Sequence, residues 1–276
     1  MLDFNEVYNI NCLDGFKQLE DESIDLIVTD CPYKIIAGGV RVVEANDECS
    51  GVLNKRDYSK TDPKGCLAGG KKVVISDGTV CSNKWIKKNS NIPSAVKDGK
   101  MFNHNDIKFS EWLPEVYRVL KQGTHCYIMI NSRNLKDLQI EAENVGFIFQ
   151  NLLIWNKGNA TPNKYYMQGA EFILMLRKGA AKNINNMGTT NILSIPNVKN
   201  KKHPTQKPVS LLKILIENSS NANDVVLDPF AGSGSTLAAA VNLNRNFLGF
   251  ELDEEYYTVA KQMIDEASGN VGLFAS

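Results

Sequence analysis

Two groups of residues in this 276-residue chain have types and spacing that could do chemistry. The first is Asp30-Cys31-Pro32-Tyr33, which closes the apolar run Leu26-Ile27-Val28. A carboxylate at the carboxyl end of a buried strand is well placed for chemistry. Pro32 fixes its own φ and biases Cys31 towards an extended backbone, holding the Cys31 carbonyl at a set angle beside the Asp30 side chain. Two such acceptors suit an exocyclic –NH2 group, which offers two donor hydrogens. Tyr33 supplies a flat face on which a base could stack. In isolation the same four residues also read as a strand-ending turn with an Asp cap and a core tyrosine.

The second group is Val225-Val226-Leu227-Asp228-Pro229-Phe230-Ala231-Gly232-Ser233-Gly234-Ser235-Thr236. Asp228, Gly232 and Gly234 fall between an apolar strand and a helix. Glycines there let the backbone turn tightly and approach a ligand closely. The N–H groups at the helix start can bind negative ligand atoms. Glu251 closes the next apolar run, 23 residues after Asp228, a spacing that suits a carboxylate on ribose hydroxyls. Strand, glycine loop, helix, strand and terminal acid together indicate a nucleoside-containing cofactor on a Rossmann-like half. The loop is not GxGxxG and lacks the GK[ST] of a P-loop, which disfavours ATP hydrolysis.

The elements that must position these groups alternate along the chain. Strands are expected at 7–10, 25–29, 125–130, 151–155, 172–176, 225–227 and 247–250. Helices are expected at 13–19, 110–120, 134–144, 208–218, 235–243 and 254–267, the last stopped by Gly269. Such alternation implies a mostly parallel α/β sheet covered on both faces. Residues 34–108 break the pattern and form a functional insertion or a partly disordered stretch; 183–202 is a second irregular stretch.

Hydrophobic content of 43% and charged content of 22% exclude a disordered chain, a collagen and a coiled coil. There is no run of 18 apolar residues, so no membrane span is expected. The N-terminal residues do not resemble a signal peptide, which implies a cytoplasmic chain with reduced thiols. The six cysteines contain no CxxC pair and there are three histidines, so no metal site is expected. Net charge is zero, but residues 34–108 carry 14 Lys/Arg against 8 Asp/Glu, and 177–208 carry 7 Lys/Arg and no acid. Two basic segments on an acidic body suit a localised polyanion contact, and equally suit solvated loops.

Asp30-Cys31-Pro32-Tyr33 resembles the D/N/S-P-P-Y/F motif of amino-methylating DNA methyltransferases. Asp228-Pro229-Phe230-Ala231-Gly232-Ser233-Gly234 resembles their S-adenosylmethionine loop. His203-Pro204-Thr205-Gln206-Lys207-Pro208 is similar to the HPTQKP element that precedes that loop in one branch, where the catalytic motif comes first, as here. The resemblance covers residues 5–33, 109–178 and 203–267. It implies a Rossmann-like class I methyltransferase fold: a seven-stranded, mostly parallel sheet with one reversed strand, helices on both faces and a circularly permuted motif order. Strands one and two would be 225–227 and 247–250, strand three 7–10, and strands four to seven would start at Asp25, His125, Asn151 and Phe172. The catalytic domain would comprise 1–33, 109–178 and 203–276, with 34–108 a DNA-contacting insertion and 179–202 a short basic segment for target recognition.

The resemblance also implies roles. Asp30, Cys31, Pro32 and Tyr33 would be catalytic, gripping the amino group of a flipped base, most often adenine N6 where the motif opens with Asp. Asn11, Cys12, Asp30, Thr205, Lys207, Asp228, Phe230, Ala231, Gly232, Gly234, Thr236 and Glu251 would line the S-adenosylmethionine site. Within that set, Thr205 and Lys207 would reach the cofactor carboxylate, Glu251 the ribose, and Asn11, where relatives usually have Asp, the adenine. Cys31 departs from the usual proline, but the role there belongs to the main-chain carbonyl. A cysteine nucleophile of the C5-cytosine type does not fit the flanking Asp30 and Pro32-Tyr33. Lys71, Lys72, Lys87, Lys88, Lys199, Lys201 and Lys202 are the candidate phosphate contacts to double-stranded DNA. A homodimer and a cognate restriction enzyme are further partners the resemblance admits. The alternatives are an N4-cytosine methyltransferase, a non-catalytic DNA-binding relative, a methylator of RNA or of protein glutamine, and an NAD-dependent dehydrogenase. The last leaves both the DCPY and HPTQKP elements without a role.

Overall fold

The computed structural model describes residues 2–32, 41–43, 72–74, 80–81, 107–161, 166–180, 182–199 and 205–274. The chain divides into two compact units: 1–33 with 107–162 and 167–276, and 34–106 with 163–166. The second unit contains a three-stranded antiparallel sheet of β3 (Arg41–Val43), β4 (Lys72–Val74) and β5 (Val80–Cys81).

The first unit is built on an eight-stranded sheet. Its strands are β1 (Glu6–Tyr8), β2 (Ile24–Asp30), β6 (Leu120–Ile130), β7 (Ile148–Thr161), β8 (Gln168–Arg177), β9 (Ile192–Ser194), β10 (Val225–Asp228) and β11 (Asn246–Phe250). They lie in the order β1-β11-β10-β2-β6-β8-β7-β9. β8 is antiparallel to both its neighbours and every other pairing is parallel. The sequence implied seven strands. The eighth is β9, a three-residue edge strand paired to β7 inside a stretch read as irregular. The first strand of the chain pairs with the last, Val7 opposite Gly249.

Among the described residues the helices are α1 (Cys12–Phe16), α2 (Phe109–Val119), α3 (Leu135–Asn144), α4 (Val209–Ser219), α5 (Ser235–Asn242) and α6 (Glu254–Phe274). They cover the sheet because its strands are apolar on both sides. On one face Ile27, Cys126, Ile128, Leu174 and Leu227 pack with Phe16 of α1, Trp112, Leu113 and Val116 of α2 and Leu138 of α3. On the other, Leu26, Val28, Tyr127, Met129, Ile173 and Val226 pack with Leu211, Leu212 and Leu215 of α4, Leu237 of α5 and Ile264 of α6. In α2 the buried Trp112, Leu113, Val116 and Val119 recur at helical spacing, and the Glu111 carboxylate accepts the Lys108 N–H at 2.6 Å to cap the start.

Three element boundaries differ instructively from the sequence reading. β7 and β8 extend beyond their apolar cores as a hairpin reaching Thr161 and Gln168, where backbone pairing carries polar residues. Helix α6 runs through Gly269 rather than stopping there. A Cβ at Gly269 would meet nothing within 4 Å, and a glycine in a helix interior costs only about 1 kcal/mol. Among the described residues no helix is long and apolar enough to cross a membrane.

Candidate active site

The two chemical groups meet at the carboxyl ends of β2 and β10, which are adjacent in the sheet. From this pair the chain diverges, to β11 on one side and to β6 on the other. In open α/β sheets that divergence leaves a crevice at the strand ends.

Asp30 ends β2, and its partner across β6 is Met129. Thr29, one residue earlier, donates to Asp228 Oδ1 at 2.7 Å, tying the end of β2 to the end of β10. Cys31 is buried, with its Sγ 3.8 Å from the Met129 carbonyl. Burial, reinforced by Asp30, pushes its thiol pKa well above the ordinary value. The thiolate that nucleophilic catalysis requires is therefore disfavoured. Tyr33 lies outside the described residues.

Asp228 is 3% exposed. Burial raises its carboxyl to about 6 against the opposing hydrogen bonds from Thr29, Thr236 and the Phe230 N–H. The Phe230 ring packs edge-on against Trp112, with centroids 5.2 Å apart. The loop then turns through Gly232 (φ +52°) and Gly234 (φ +78°), both in the left-handed region that favours glycine. A Cβ on Gly234 would lie 2.9 Å from Ala260 Cα, so glycine also lets α5 close against α6. Ala231 is buried and its N–H bonds to the Phe250 carbonyl at 2.8 Å. Glu251 follows β11 and braces this loop: Oε2 accepts the Gly232 N–H at 2.7 Å and Oε1 the Asp253 N–H at 2.9 Å. Burial raises its carboxyl to about 7, partly offset by those two N–H groups.

Asn11 and Cys12 lie just past β1. Asn11 caps α1, its Oδ1 accepting the Leu13 N–H at 2.9 Å. Cys12 is buried, and burial pushes its thiol to about 12, so any ligand contact there falls to the backbone. Lys207 has an unexpected place. Its ammonium, with the side chain 9% exposed, lies 2.5 Å from Asp30 Oδ2 and 3.6 Å from Glu171 Oε2, and donates to the Thr205 carbonyl at 3.3 Å. Lys157 completes the row, 3.1 Å from Glu171 Oε1. The structure thus brings Asp30, Cys31, Lys207, Asp228, the glycine loop, Glu251 and Asn11 to one edge of the sheet. Sequence reasoning missed Thr29, Lys157 and Glu171. The available signals were a polar residue inside an apolar strand and an acid opening another. Of the candidate phosphate contacts, Lys72 opens β4 and Lys199 is exposed. Lys71, Lys87, Lys88, Lys201 and Lys202 lie outside the described residues.

The donor set fits a nucleoside cofactor. Each Glu251 oxygen uses one lone pair on a backbone N–H and keeps a second for a hydroxyl. Asn11, Glu251 and Asp228 follow or end three adjacent strands, β1, β11 and β10.

Solved structures share this architecture. The M1.HpyAVI–SAM complex superposes with a TM-score of 0.58 over 93% of this chain and 98% of that one, at 24% identity. The PvuII DNA methyltransferase (cytosine-N4-specific) gives 0.62 over 98% and 93%, at 14% identity. The fold is that of a class I methyltransferase. The DNA methylase family profile matches residues 24–262. Type II methyltransferase M2.MboI of Moraxella bovis is 30% identical across 94% of this chain and 87% of its own length. DNA adenine methyltransferase YhdJ of Escherichia coli is 30% identical over 62% and 72%. This chain belongs to the DNA methylase family.

Proposed function

We propose that the chain is a site-specific DNA amino-methyltransferase that uses S-adenosylmethionine and acts on adenine N6. The observation that carries the reading is the adjacency of Asp30 and Asp228 at the ends of neighbouring strands, joined through Thr29. It supports a reading in which Asp30 accepts the target amino group beside a loop that binds the nucleoside cofactor. Asp228, Phe230, Gly232, Gly234 and Thr236 would hold the cofactor's methionine end, Glu251 its ribose, and Asn11 with the Cys12 backbone its adenine. When bound, S-adenosylmethionine supplies an electrophilic sulfonium methyl.

The chain's own contribution is positioning. An exocyclic amino lone pair is delocalised into the ring and is a poor nucleophile. Asp30 and the Cys31 carbonyl accept its two hydrogens and draw the nitrogen towards tetrahedral geometry, aiming the lone pair. The amine proton would pass to solvent once the nitrogen has taken up the methyl group. A base inside a duplex cannot reach such a site, so it is flipped at a cost of a few kcal/mol. Stacking on Tyr33, worth roughly 1–3 kcal/mol, offsets much of that.

Adenine is favoured because the motif opens with Asp30, and because one relative is named a DNA adenine methyltransferase. Cytosine N4 presents a similar amino group and is the second reading. The pairing of β1 with β11 supports a circularly permuted order, with the N-terminal strand completing a sheet begun at the C-terminus. The catalytic domain is proposed as 1–33, 109–178 and 203–276, with 34–108 a basic DNA-contacting insertion and 179–202 a short basic segment for target recognition. The type II naming of relatives adds a cognate restriction enzyme as a proposed partner.

Expression in a methylation-free host, followed by modification-sensitive sequencing, tests this directly. The expected result is one modified base type at one recurring sequence, and an unmodified genome overturns the reading. The variant Asp30→Ala, which removes the acceptor, should lose at least about 100-fold in kcat while binding S-adenosylmethionine within about threefold of the parent. A kcat within tenfold of the parent would remove Asp30 from the mechanism.

A further inference from the structure

The row Asp30–Lys207–Glu171–Lys157 is not required by any role assigned above. Its geometry follows from the sheet. In β2 the side chains of Leu26 and Val28 point to the face covered by α4, α5 and α6, and Asp30 continues that alternation. In β8, Ile173 and Met175 point to the same face, so Glu171 does too. Because β8 runs in reverse, its early residues reach the carboxyl edge of the sheet, where Phe172 pairs with Ile130. Lys157 lies two residues beyond Trp155, the partner of Glu171, which is the diagonal reach of a cross-strand pair. With β6 between them, β2 and β8 are about 10 Å apart. The two carboxylates cannot satisfy one another, and the Lys207 ammonium, delivered by the segment entering α4, bridges them.

We propose that Glu171 is a positioning residue for methyl transfer: it holds the Lys207 ammonium from the side opposite Asp30, so that the Asp30 carboxylate keeps one orientation and retains acceptor capacity for the target amino group. This rests on the methyltransferase reading and deepens it. The side chain of Lys207 is nearly buried, and a buried cation must be paired. With Asp30 as its sole anion the ammonium would draw that carboxylate into a closer pair, competing with substrate. Glu171 shares the cation and Lys157 in turn holds Glu171, so charge alternates along the row. Burial lowers the Lys207 pKa, but Asp30 and Glu171 outweigh it and leave the value raised. For Glu171 the upward push of burial is outweighed by Lys207 and Lys157. A cation on one oxygen weakens a carboxylate as a proton acceptor while leaving it a hydrogen-bond acceptor, which suits an amine that sheds its proton only after attack.

The test compares Glu171→Gln and Glu171→Asp with the parent chain. Steady-state transfer to DNA gives kcat and KM, calorimetry gives S-adenosylmethionine affinity, and 13Cε-lysine NMR follows the Lys207 titration. Glu171→Gln should lower kcat about 10- to 100-fold with cofactor affinity within about threefold. It should also move the Lys207 titration, and with it the alkaline limb of kcat, to lower pH, because an anion that raised the lysine pKa is gone. Glu171→Asp, which keeps the charge, should recover most of the alkaline limb. Weaker cofactor binding with an unchanged saturating kcat would assign Lys207 to the cofactor carboxylate and overturn the clamp. A kcat and Lys207 titration both unmoved in Glu171→Gln would overturn it as well. A parent chain that transfers no methyl group would overturn the functional reading and the catalytic role with it, while the lysine titration still shows separately whether the ion pairs exist.

Discussion

Glu251 serves two purposes that its protonation state separates. Its oxygens brace the glycine loop through Gly232 and Asp253, and in the proposed role its ionised form is the one that would accept ribose hydroxyls. Burial raises its pKa from 4.5 to about 7. Between those values the folded chain keeps a proton that the unfolded chain releases, so this group's contribution to folding stability falls as pH rises across that window. Cofactor binding runs the other way: affinity should fall as pH drops through about 7, by at most about tenfold per unit from this group. Asp228, raised to about 6, adds a lower step. Calorimetry across that range on the parent and on Glu251→Gln should show the upper step vanish in the variant. At Cys31 the expectation is near-indifference. The proposed working atom is the main-chain carbonyl and the thiol is buried with a raised pKa, so Cys31→Ala should keep kcat within about threefold. Loss of turnover there, with the fold intact by circular dichroism, would revive a nucleophilic cysteine. Residue identity made Asp30, Asp228 and Glu251 legible in the sequence, since each acid ends an apolar run. The resemblance pointed to Lys207 as a member of the candidate site but not as the partner of Asp30, which lies 177 residues away in the chain. Only the sheet order brings the two together.

At the scale of elements, the turn into α5 is the least tolerant feature. Gly234 sits at φ +78°, and a Cβ there would press on the backbone of α6 at 2.9–3.0 Å. Gly234→Ala should therefore destabilise by about 2 kcal/mol or more. That corresponds to a drop on the order of 5 °C in Tm, checked by thermal unfolding. A companion loss of cofactor affinity is expected, because the loop backbone would have to shift. A Tm within 1 °C of the parent would mean that α5 and α6 yield freely. The buried strands and amphipathic helices were readable because their periodicity carries the packing, as in α2 and β2. β9 was not, because three residues in an asparagine-rich stretch become a strand only through Ile154 and its neighbours on β7. The outer part of the β7–β8 hairpin is polar for the same reason: pairing between strands, not apolar content, extends it.

The whole chain is neutral, which conceals where it would meet DNA. Residues 177–208 contain seven basic residues and no acid. Part of that segment has a fixed address, since β9 ends at Ser194 beside β7 and Lys207 reaches Asp30. In the sequence Lys201 and Lys202 fall between the described Lys199 and Lys207, whose ammonium sits on the acid proposed to grip the target base. Phosphate neutralisation there would supply affinity without sequence information, and would release counterions. Log affinity for a duplex should accordingly fall linearly with log salt. In the triple variant Lys199→Glu/Lys201→Glu/Lys202→Glu the slope should lessen by about 0.9 for each phosphate no longer neutralised, with binding weakened alike on target and non-target sequences. S-adenosylmethionine affinity should be unchanged, because Lys199 is exposed and none of the three is assigned to the cofactor. Filter binding or fluorescence anisotropy over a salt series measures both quantities. An unaltered slope in the triple variant would move the DNA contact elsewhere, with the basic insertion 34–108 the next segment to reverse. A weakening confined to the target sequence would instead make these lysines readers of base edges.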